Sequence, residues 1–386
     1  MKKLTKRTLF AGLGLLATAW LVQAQDPPAQ TPPAAPAPAP SPTWSVGPID
    51  FSGLIDGYYT ANFNHPYTSP GVPGTNALQN FNFQANQLSL GMAKLSLSHD
   101  PDPVGFRVDL GFGKAFDWIH GSEPSGSNGF LRNIEQAYVS VKSKKGYELD
   151  AGQFVTWAGA EVIEAKDNLN YSHSLLFAWA IPYYHFGVRG IIPVGSHFTG
   201  GVAVVNGWNN VEDNNTGKTL GFSGNFTTKK ISWMNTYYTG PENTGTNKGW
   251  RNLYDTVVLF TPTDKLTAYL NYDYGKNSFA KGPGAIWTGI AGAAKFQMNS
   301  KFALIPRIEW FNDHNGFAVP GDNPHGQTFK EFTMTLEGKA AAGIMARLEY
   351  RYDWSDQPFF PTGLTGIADH QSTLSVGMIA FFGPKR

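Results

Sequence analysis

Cysteine is absent from all 386 residues of the chain. Without a thiol the protein cannot carry a lipoprotein anchor, a disulfide framework or a thiolate metal site. Charge is also scarce, since Lys, Arg, Asp and Glu together make up 15% of the sequence. The 30 basic residues are nearly balanced by 29 acidic ones, so there is no basic surplus that would favour nucleic acid as a partner.

Long apolar runs are missing as well, except for one near the start of the chain. Basic residues among the first seven precede an apolar stretch at 9–22, and the small residue Ala24 follows. This order is typical of a signal peptide, and we predict cleavage after residue 24. A permanent membrane anchor is the alternative, although the stretch is short for a span and contains glycines. Residues 1–24 hold four of the 30 basic residues and no acidic ones, so cleavage leaves 26 minus 29, a net charge of about −3.

Proline and alanine dominate the next segment, residues 26–42 (DPPAQTPPAAPAPAPSP). Such a composition favours an extended, solvated polyproline conformation and offers little to pack into a core. We therefore predict a disordered linker at 25–48. The composition is uniform after that, which indicates a single domain at 49–386.

The domain shows apolar and polar residues in strict alternation, the period of a β-strand with two different faces. Residues 104–116 begin VGFRVDLGF, with Arg107 and Asp109 on the face opposite the apolar side chains. Residues 344–353 (IMARLEYRYD) place four charges on one face and none on the other. A phase slip near Lys94 predicts a β-bulge. No segment favours a helix convincingly.

Sixteen segments carry this period, and we expect sixteen strands, give or take two. They lie at about 51–63, 86–99, 104–116, 131–142, 147–154, 183–191, 197–206, 219–227, 231–239, 250–261, 266–274, 285–296, 301–311, 328–337, 344–353 and 371–382. Short turns and long polar loops alternate between them. The longest internal loop, at about 155–182, follows the fifth strand.

The alternation of short turns with long loops predicts a transmembrane antiparallel up-and-down β-barrel, with short periplasmic turns and long extracellular loops. Backbone amides in hydrocarbon must all be paired, which permits only helices or closed barrels, and no segment after the first is apolar enough for a spanning helix. Aromatic residues reach 14% of the chain and gather near strand ends. That placement fits the interfacial girdles of a barrel, with ordinary core packing as the alternative.

Two stretches carry a family resemblance. Residues 148–189 resemble the OmpL-like β-barrel outer-membrane porins of Gram-negative bacteria; they include ELDAGQF and WAGAEVIEAKDNLNYSHSLLFAWAIPYYHFGVR. The opening at 51–63, FSGLIDGYYTANF, resembles the same family. The likeness in character extends over about 49–382. It implies an outer-membrane barrel with a channel role and no particular substrate. One departure is that Phe381 and Phe382 are followed by GPKR, whereas many outer-membrane proteins end on an aromatic residue.

Charged residues on the inward face of the predicted strands are the candidate pore lining, seven basic and nine acidic. They are Arg107, Asp109, Lys142, Glu148, Asp150, Arg189, Asp273, Lys295, Arg307, Glu309, Glu331, Glu337, Arg347, Glu349, Arg351 and Asp353. Such a water-filled lumen would prefer cations at most weakly. The alternative is that these charges only solvate the interior and fix the strand register. We expect Glu331 to lie opposite or diagonal to Arg351 as a cross-strand pair.

The loop at 155–182 combines polar and apolar residues, so it could pack on the barrel wall and narrow the lumen. Its candidate constriction residues are Glu161, Glu164, Lys166, Asp167, Asn168, Asn170, Tyr171 and His173. A loop that faces outward is the alternative.

We therefore expect an outer-membrane porin of a Gram-negative bacterium that passes small polar solutes or ions by passive diffusion. Its partners would be outer-membrane lipid and those solutes, with a homo-oligomer and contact of the Pro-rich periplasmic linker with the cell wall left open. No cofactor or metal is needed, because the nine histidines lack ligand spacing, and an enzyme is not expected. The alternatives are an outer-membrane adhesin or cell-wall-linked scaffold, and a secreted soluble β-protein such as a lectin or polysaccharide hydrolase.

The face assignment at 104–116 can be tested by two neighbouring substitutions. Val108→Arg places a charge in the lipid and should cost about 2 to 4 kcal/mol of folding stability, whereas Asp109→Arg should mainly alter ion preference. Urea unfolding of the protein in lipid vesicles measures the first effect, and reversal potentials in a salt gradient measure the second. Equal assembly defects in both variants would contradict the assignment.

Overall fold

The computed structural model describes residues 44–121, 129, 131–321 and 325–384. The predicted signal peptide and most of the predicted linker lie outside these residues. None of the helices in the described part of the chain is long and apolar enough to span a membrane.

Sixteen antiparallel strands form a closed ring. We number them in chain order: β1 Ile49–Asn62, β2 Leu88–His99, β3 Val104–Phe112, β4 Ile134–Lys142, β5 Glu148–Val155, β6 Tyr184–Val194, β7 Phe198–Val205, β8 Thr219–Thr227, β9 Ile231–Pro241, β10 Trp250–Thr263, β11 Leu266–Asn277, β12 Ala285–Gln297, β13 Phe302–Asp313, β14 Gln327–Ala341, β15 Ile344–Ser355 and β16 His370–Phe382.

Each strand pairs with the next along the chain, and β1 also pairs with β16. That last pairing closes the ring, so no ladder edge is left open to lipid. All sixteen predicted segments correspond to these strands, and the prediction of a sixteen-strand barrel is confirmed.

Alternation along each strand separates the two faces of the wall. In β15, Arg347, Glu349 and Arg351 are buried, while Leu348 and Tyr350 between them are exposed on the outside. The outward side chains are apolar and suit hydrocarbon, and the inward ones are polar. The predicted β-bulge is present but lies at Gly91, three residues before Lys94, where the pairing with β1 shifts between Asp56 and Gly57.

The expectation that no helix forms was wrong. Helix α1, Lys114–Ile119, follows β3 directly, and a π-helical turn, Leu176–Ala180, lies in the long loop after β5. The alternation of β3 continues through residues 113–116, which is why the sequence predicts strand there. The left-handed φ of 116° at Gly113 ends the strand, and Ala115, Phe116 and Ile119 are then buried on one side of a helical turn.

Short connections and long ones lie at opposite ends of the ring, as predicted. Two short hairpins extend the long connections, Tyr67–Ser69 with Val72–Pro73 and Phe360–Thr362 with Gly366–Ala368. A two-residue strand, Ser45–Val46, also adds to β1 before the ring begins. Short turns of outer-membrane barrels face the periplasm. We call that end of the ring its periplasmic end.

The apolar core of the molecule lies inside the ring, not in its wall. Long connections at 63–87, 113–121 and 156–183 send apolar side chains into the lumen. Val319 and Phe360 from two later connections join the same cluster, and wall residues such as Trp287 and Phe311 meet them. Glycines in the wall leave room for the rings of these inward side chains. A Cβ atom on Gly377 would lie 2.3 Å from the ring of Tyr171, and one on Gly111 would lie 1.8 Å from the ring of Phe116.

Candidate functional site

The loop between β5 and β6, residues 156–183, lies within the ring and is bound to its inner face at both ends. We call it the lumen loop. At its start the backbone N–H of Trp157 donates to the Tyr238 hydroxyl (3.3 Å), and that of Ala160 donates to the Asn271 side chain (3.2 Å). At its end the Trp287 indole donates to the carbonyl of Ala180 (3.0 Å). The loop thus crosses to strands on the far side of the ring from its own.

Arg347 on β15 holds the middle of the lumen loop through the loop backbone. Its guanidinium donates to the carbonyl oxygens of Ala165 (2.5 Å), Asn168 (2.6 Å) and Asn170 (2.8 Å). The same group forms an ion pair with Glu337 on β14 at 2.8 Å. The guanidinium therefore balances one buried carboxylate and also donates to three carbonyl groups of the loop, of which only that of Ala165 also accepts from a loop N–H, that of Asn168.

Two carboxylates bind the N–H groups of the next segment. Glu349 accepts hydrogen bonds from the backbone of Tyr171 (2.6 Å) and Ser172 (2.9 Å). Glu309 accepts one from the backbone of Leu175 (2.8 Å). These hydrogen bonds fix the position of the loop backbone against β13 and β15.

Arg307 on β13 is the most enclosed of the cations. Its ion pairs are with Glu161 of the loop (2.9 Å), Glu309 (3.0 Å) and Glu331 (3.0 Å). It also donates to the carbonyl oxygen of Ser172 at 2.6 Å. One guanidinium thus joins the lumen loop to two strands of the wall.

Lys94 on β2 forms a second anchor that sequence reasoning missed. Its ammonium lies 2.7 Å from Glu135 and 3.1 Å from Asp109, and it also pairs with Glu164 of the loop. Burial by itself would raise the pKa of Glu164, but the nearby Lys94 charge outweighs it and holds that pKa below its usual range. The bulge at Gly91 shifts the alternation just before Lys94, which hid its inward direction in the sequence.

Asp109 belongs to this cluster and is fully buried, with Arg107 (2.9 Å) and Gln136 (2.7 Å) also donating to it. Asp109→Arg would bring three cations together. These contacts therefore add a stability cost to that substitution, which the alternation pattern does not reveal.

Eleven of the sixteen candidate pore-lining residues are buried to 3% exposure or less. They are Asp109, Asp150, Asp273, Arg307, Glu309, Glu331, Glu337, Arg347, Glu349, Arg351 and Asp353. They face inward, but most contact the lumen loop or one another, not open water. Glu331 is diagonal to Arg351 in the register, as expected, yet its ion pair is with Arg307.

The remaining five candidates keep contact with water. The exposed fraction of the side chain is 44% for Lys142, 35% for Arg107, 21% for Glu148, 19% for Lys295 and 10% for Arg189. Four of them are basic and one is acidic. The five candidates that contact water therefore do not support the weak cation preference. That preference was expected from all sixteen candidates, seven basic and nine acidic.

The candidate constriction residues divide into two groups. Lys166 and Asp167 are partly exposed and pair with each other at 2.6 Å. Asn170 is fully buried and donates to Thr335 (2.7 Å) and to the carbonyl of Ile305 (3.1 Å). Glu161, Asn168 and Tyr171 are buried against the wall, and Glu164 is bound to Lys94 as described.

His173, the last of these candidates, is enclosed by aromatic rings. Its ring lies 4.0 Å from that of Phe81 and 4.8 Å from that of Phe177, centroid to centroid. Burial lowers the pKa of His173, which favours the neutral imidazole. It is therefore part of the packed interior.

Phe81 belongs to the connection between β1 and β2, whose inward fold was not anticipated. Asn80 in that connection donates to the carbonyl of Ala178 (2.9 Å) and to the Tyr183 hydroxyl (2.8 Å). On α1, Trp118 packs edge-on against Trp179. At least three connections thus pack together in the lumen, whereas the sequence pointed to one. The only available signal was their content of large apolar residues.

The family described as "Putative beta-barrel porin-2, OmpL-like" matches residues 48–382. None of the curated proteins matches the chain. Among solved structures, the trimer form of OmpT from Vibrio cholerae is similar with a TM-score of 0.58 at 11% identity, covering 86% of this chain and 99% of that one.

Two other solved structures have the same fold. The outer membrane channel DcaP of Acinetobacter baumannii gives a TM-score of 0.57 at 10% identity, covering 86% of this chain and 97% of that one. An anion-selective porin from Comamonas acidovorans gives 0.59 at 9% identity, covering 86% and 99%. The expected resemblance, the outer-membrane location and the porin type of channel are confirmed. With nearly the whole barrel matched, the chain belongs to the OmpL-like β-barrel porin family.

Proposed function

We propose that the protein is a passive diffusion channel for small polar solutes or ions, and that the lumen loop forms its constriction. The observation that carries this proposal is the attachment of the loop to the inner wall by charged side chains from β2, β13 and β15. A loop fixed at that many points narrows the lumen permanently. Selection by size then needs no moving part and no cofactor.

The water-accessible charges support a route for solutes along one side of the lumen. Arg107, Lys142, Glu148 and Arg189 lie on β3 to β6, and only Lys295 lies elsewhere, on β12. Most anchors of the lumen loop are on β9 to β15 and β2, although the Lys94 cluster that binds Glu164 also includes Asp109 on β3 and Glu135 on β4. We infer that solutes pass between the loop and the β3–β6 side, where these exposed charges act on them.

The partners of such a channel are outer-membrane lipid and the permeating solutes. Contact of the Pro- and Ala-rich segment with the cell wall stays a prediction, since 25–43 lies outside the described residues. No feature of the described residues favours the adhesin or scaffold alternative over the channel.

Arg347 both anchors the lumen loop and balances the charge of Glu337, and the first role can be tested separately from the second. Arg347→Met removes the donors to three loop carbonyls and should weaken the loop attachment by about 3 to 5 kcal/mol, the usual range for breaking a buried pair. The ring itself should stay closed, because these contacts are not part of its ladder. Limited proteolysis in detergent, followed by mass mapping of cuts within 156–183, measures the release.

Lys295→Met is the matched control for Arg347→Met. Lys295 pairs with the same Glu337 at 2.6 Å and is partly exposed, so its loss should cost no more than about 1 kcal/mol. Equal protease sensitivity in the two variants would show that the loop is not held through Arg347.

Deleting residues 161–175 tests the constriction directly. Single-channel recording in planar bilayers should show stable open steps for the native protein and larger steps for the deletion, because the lumen is then wider. Arg347→Met should also raise conductance. This variant tests the constriction even if the deletion variant does not assemble.

Deletion of residues 280–283 is the control, since these residues are exposed in the connection between β11 and β12. It should leave conductance unchanged. Silence of the native protein would contradict the channel and favour the scaffold. Native conductance in both the 161–175 deletion and Arg347→Met would place the loop outside the solute path.

A further inference from the structure

Tyr138 on β4 lies between two arginines on the inner face of the wall. Arg107 on β3 is its direct partner in the strand register. From β6, the Cζ atom of Arg189 lies 5.4 Å from the centroid of the Tyr138 ring. The same guanidinium lies 4.3 Å from the ring of Phe154 and 5.8 Å from that of Trp157 in the lumen loop. We call these five residues the arginine–aromatic cluster.

The acidic partners of the two arginines are enclosed, whereas the arginines reach water. Arg107 pairs with Asp109 and Arg189 pairs with Asp150, each through its Nε atom at 2.9 Å. The side chains of Asp109 and Asp150 are 0% and 1% exposed, whereas those of Arg107 and Arg189 are 35% and 10% exposed. A solute in the lumen therefore meets the cationic side of both ion pairs first.

The cluster also holds hydrogen-bond donors that the protein leaves unused. Among the residues that the structure describes, none accepts a hydrogen bond from the Nη atoms of Arg107, the Tyr138 hydroxyl or the Trp157 indole. Arg189 uses only Nη1, which donates to the carbonyl of Val155 at 3.3 Å. Guanidinium and indole groups donate and do not accept, so the partner that completes this site is an anion.

Apolar surface accompanies these donors along the solute route. Val162 in the lumen loop is 44% exposed, although residues 161 and 163 on either side of it are buried, so it lies on the open side of the loop. Ile191 is on the inner face of β6, two residues from Arg189, and is partly exposed. Trp157 is half-buried and keeps part of its surface open to water. The route beside the cluster thus combines cations with apolar surface.

We propose that the arginine–aromatic cluster binds small aromatic carboxylates on their way through the channel, an inference that rests on the proposed function. The carboxylate accepts from the Arg107 guanidinium and the Tyr138 hydroxyl, since planar guanidinium and carboxylate groups form two parallel hydrogen bonds. The solute ring packs on Trp157 and beside the Arg189 guanidinium, where dispersion and cation–π attraction both act on it.

Block of single-channel current in dilute KCl, where charges are weakly screened, tests this site. Benzoate is the probe, and two related molecules separate its parts. Acetate keeps the carboxylate without the ring, and benzamide keeps the ring without the charge. We expect benzoate to block at a severalfold lower concentration than either. Equal block by benzoate and acetate, or by benzoate and benzamide, would overturn the proposal.

Two variants divide the site in the same way. In Arg107→Gln, Asp109 keeps its ion pair with Lys94, so the buried carboxylate retains a cation. This variant should weaken the block by benzoate and by acetate alike, whereas Trp157→Leu should weaken mainly the block by benzoate, in each case severalfold. Lys295→Gln is the control, because it removes a lumen cation on β12, outside the cluster, and it should leave the benzoate block unchanged.

The result also separates this site from the channel itself. A conducting native protein, with benzoate block of native strength in either Arg107→Gln or Trp157→Leu, would overturn the site and leave the channel intact. A larger effect of Lys295→Gln than of Arg107→Gln would also overturn the site, because the cation that binds would then lie elsewhere. A native protein without open steps would overturn both the channel and the site.

Discussion

Hydrocarbon cannot satisfy a backbone N–H or C=O, and the architecture follows from that constraint. Every strand must have two neighbours, so β1 and β16 pair and the sheet becomes a ring. A ring has an inside, and period-two alternation sends half of the side chains into it. Because lipid excludes charge from the outside, nearly all charged residues of the strands lie on that inner face.

Buried charges in turn need partners, and here the lumen loop supplies many of them. Arg347 binds three carbonyl groups of the loop and Glu349 binds two of its N–H groups. A loop with only short helical turns also has backbone donors and acceptors to satisfy. Charged side chains of the wall and backbone groups of the loop therefore satisfy each other's hydrogen bonds. As a result, the polar interior of the barrel is packed.

The strands could be read from the sequence because alternation is local and each segment carries its own signal. The barrel followed from their number and from the spacing of long and short connections. The contacts of the loop could not be read in this way. Ala165 and Arg347 are separated by 182 positions, and nothing near either residue specifies the other.

The sequence predicts which charged side chains point into the ring, but not how far each one is exposed to water. Arg307 and Arg107 both fall on the inner face, yet one is fully enclosed and the other is 35% exposed. That difference depends on where the loops fold, which alternation does not encode. Lys94 was missed because a one-residue bulge reversed the local phase, and α1 was missed because its first residues continue the alternation of β3.

The position of the loop anchors along the chain has a consequence for biogenesis. The lumen loop follows the fifth strand, while the residues that grip it most closely, Arg307, Glu309, Arg347 and Glu349, lie on the thirteenth and fifteenth. The loop cannot settle until those late strands have joined the sheet. The loop therefore reaches its final attachment only after the fifteenth strand has been added.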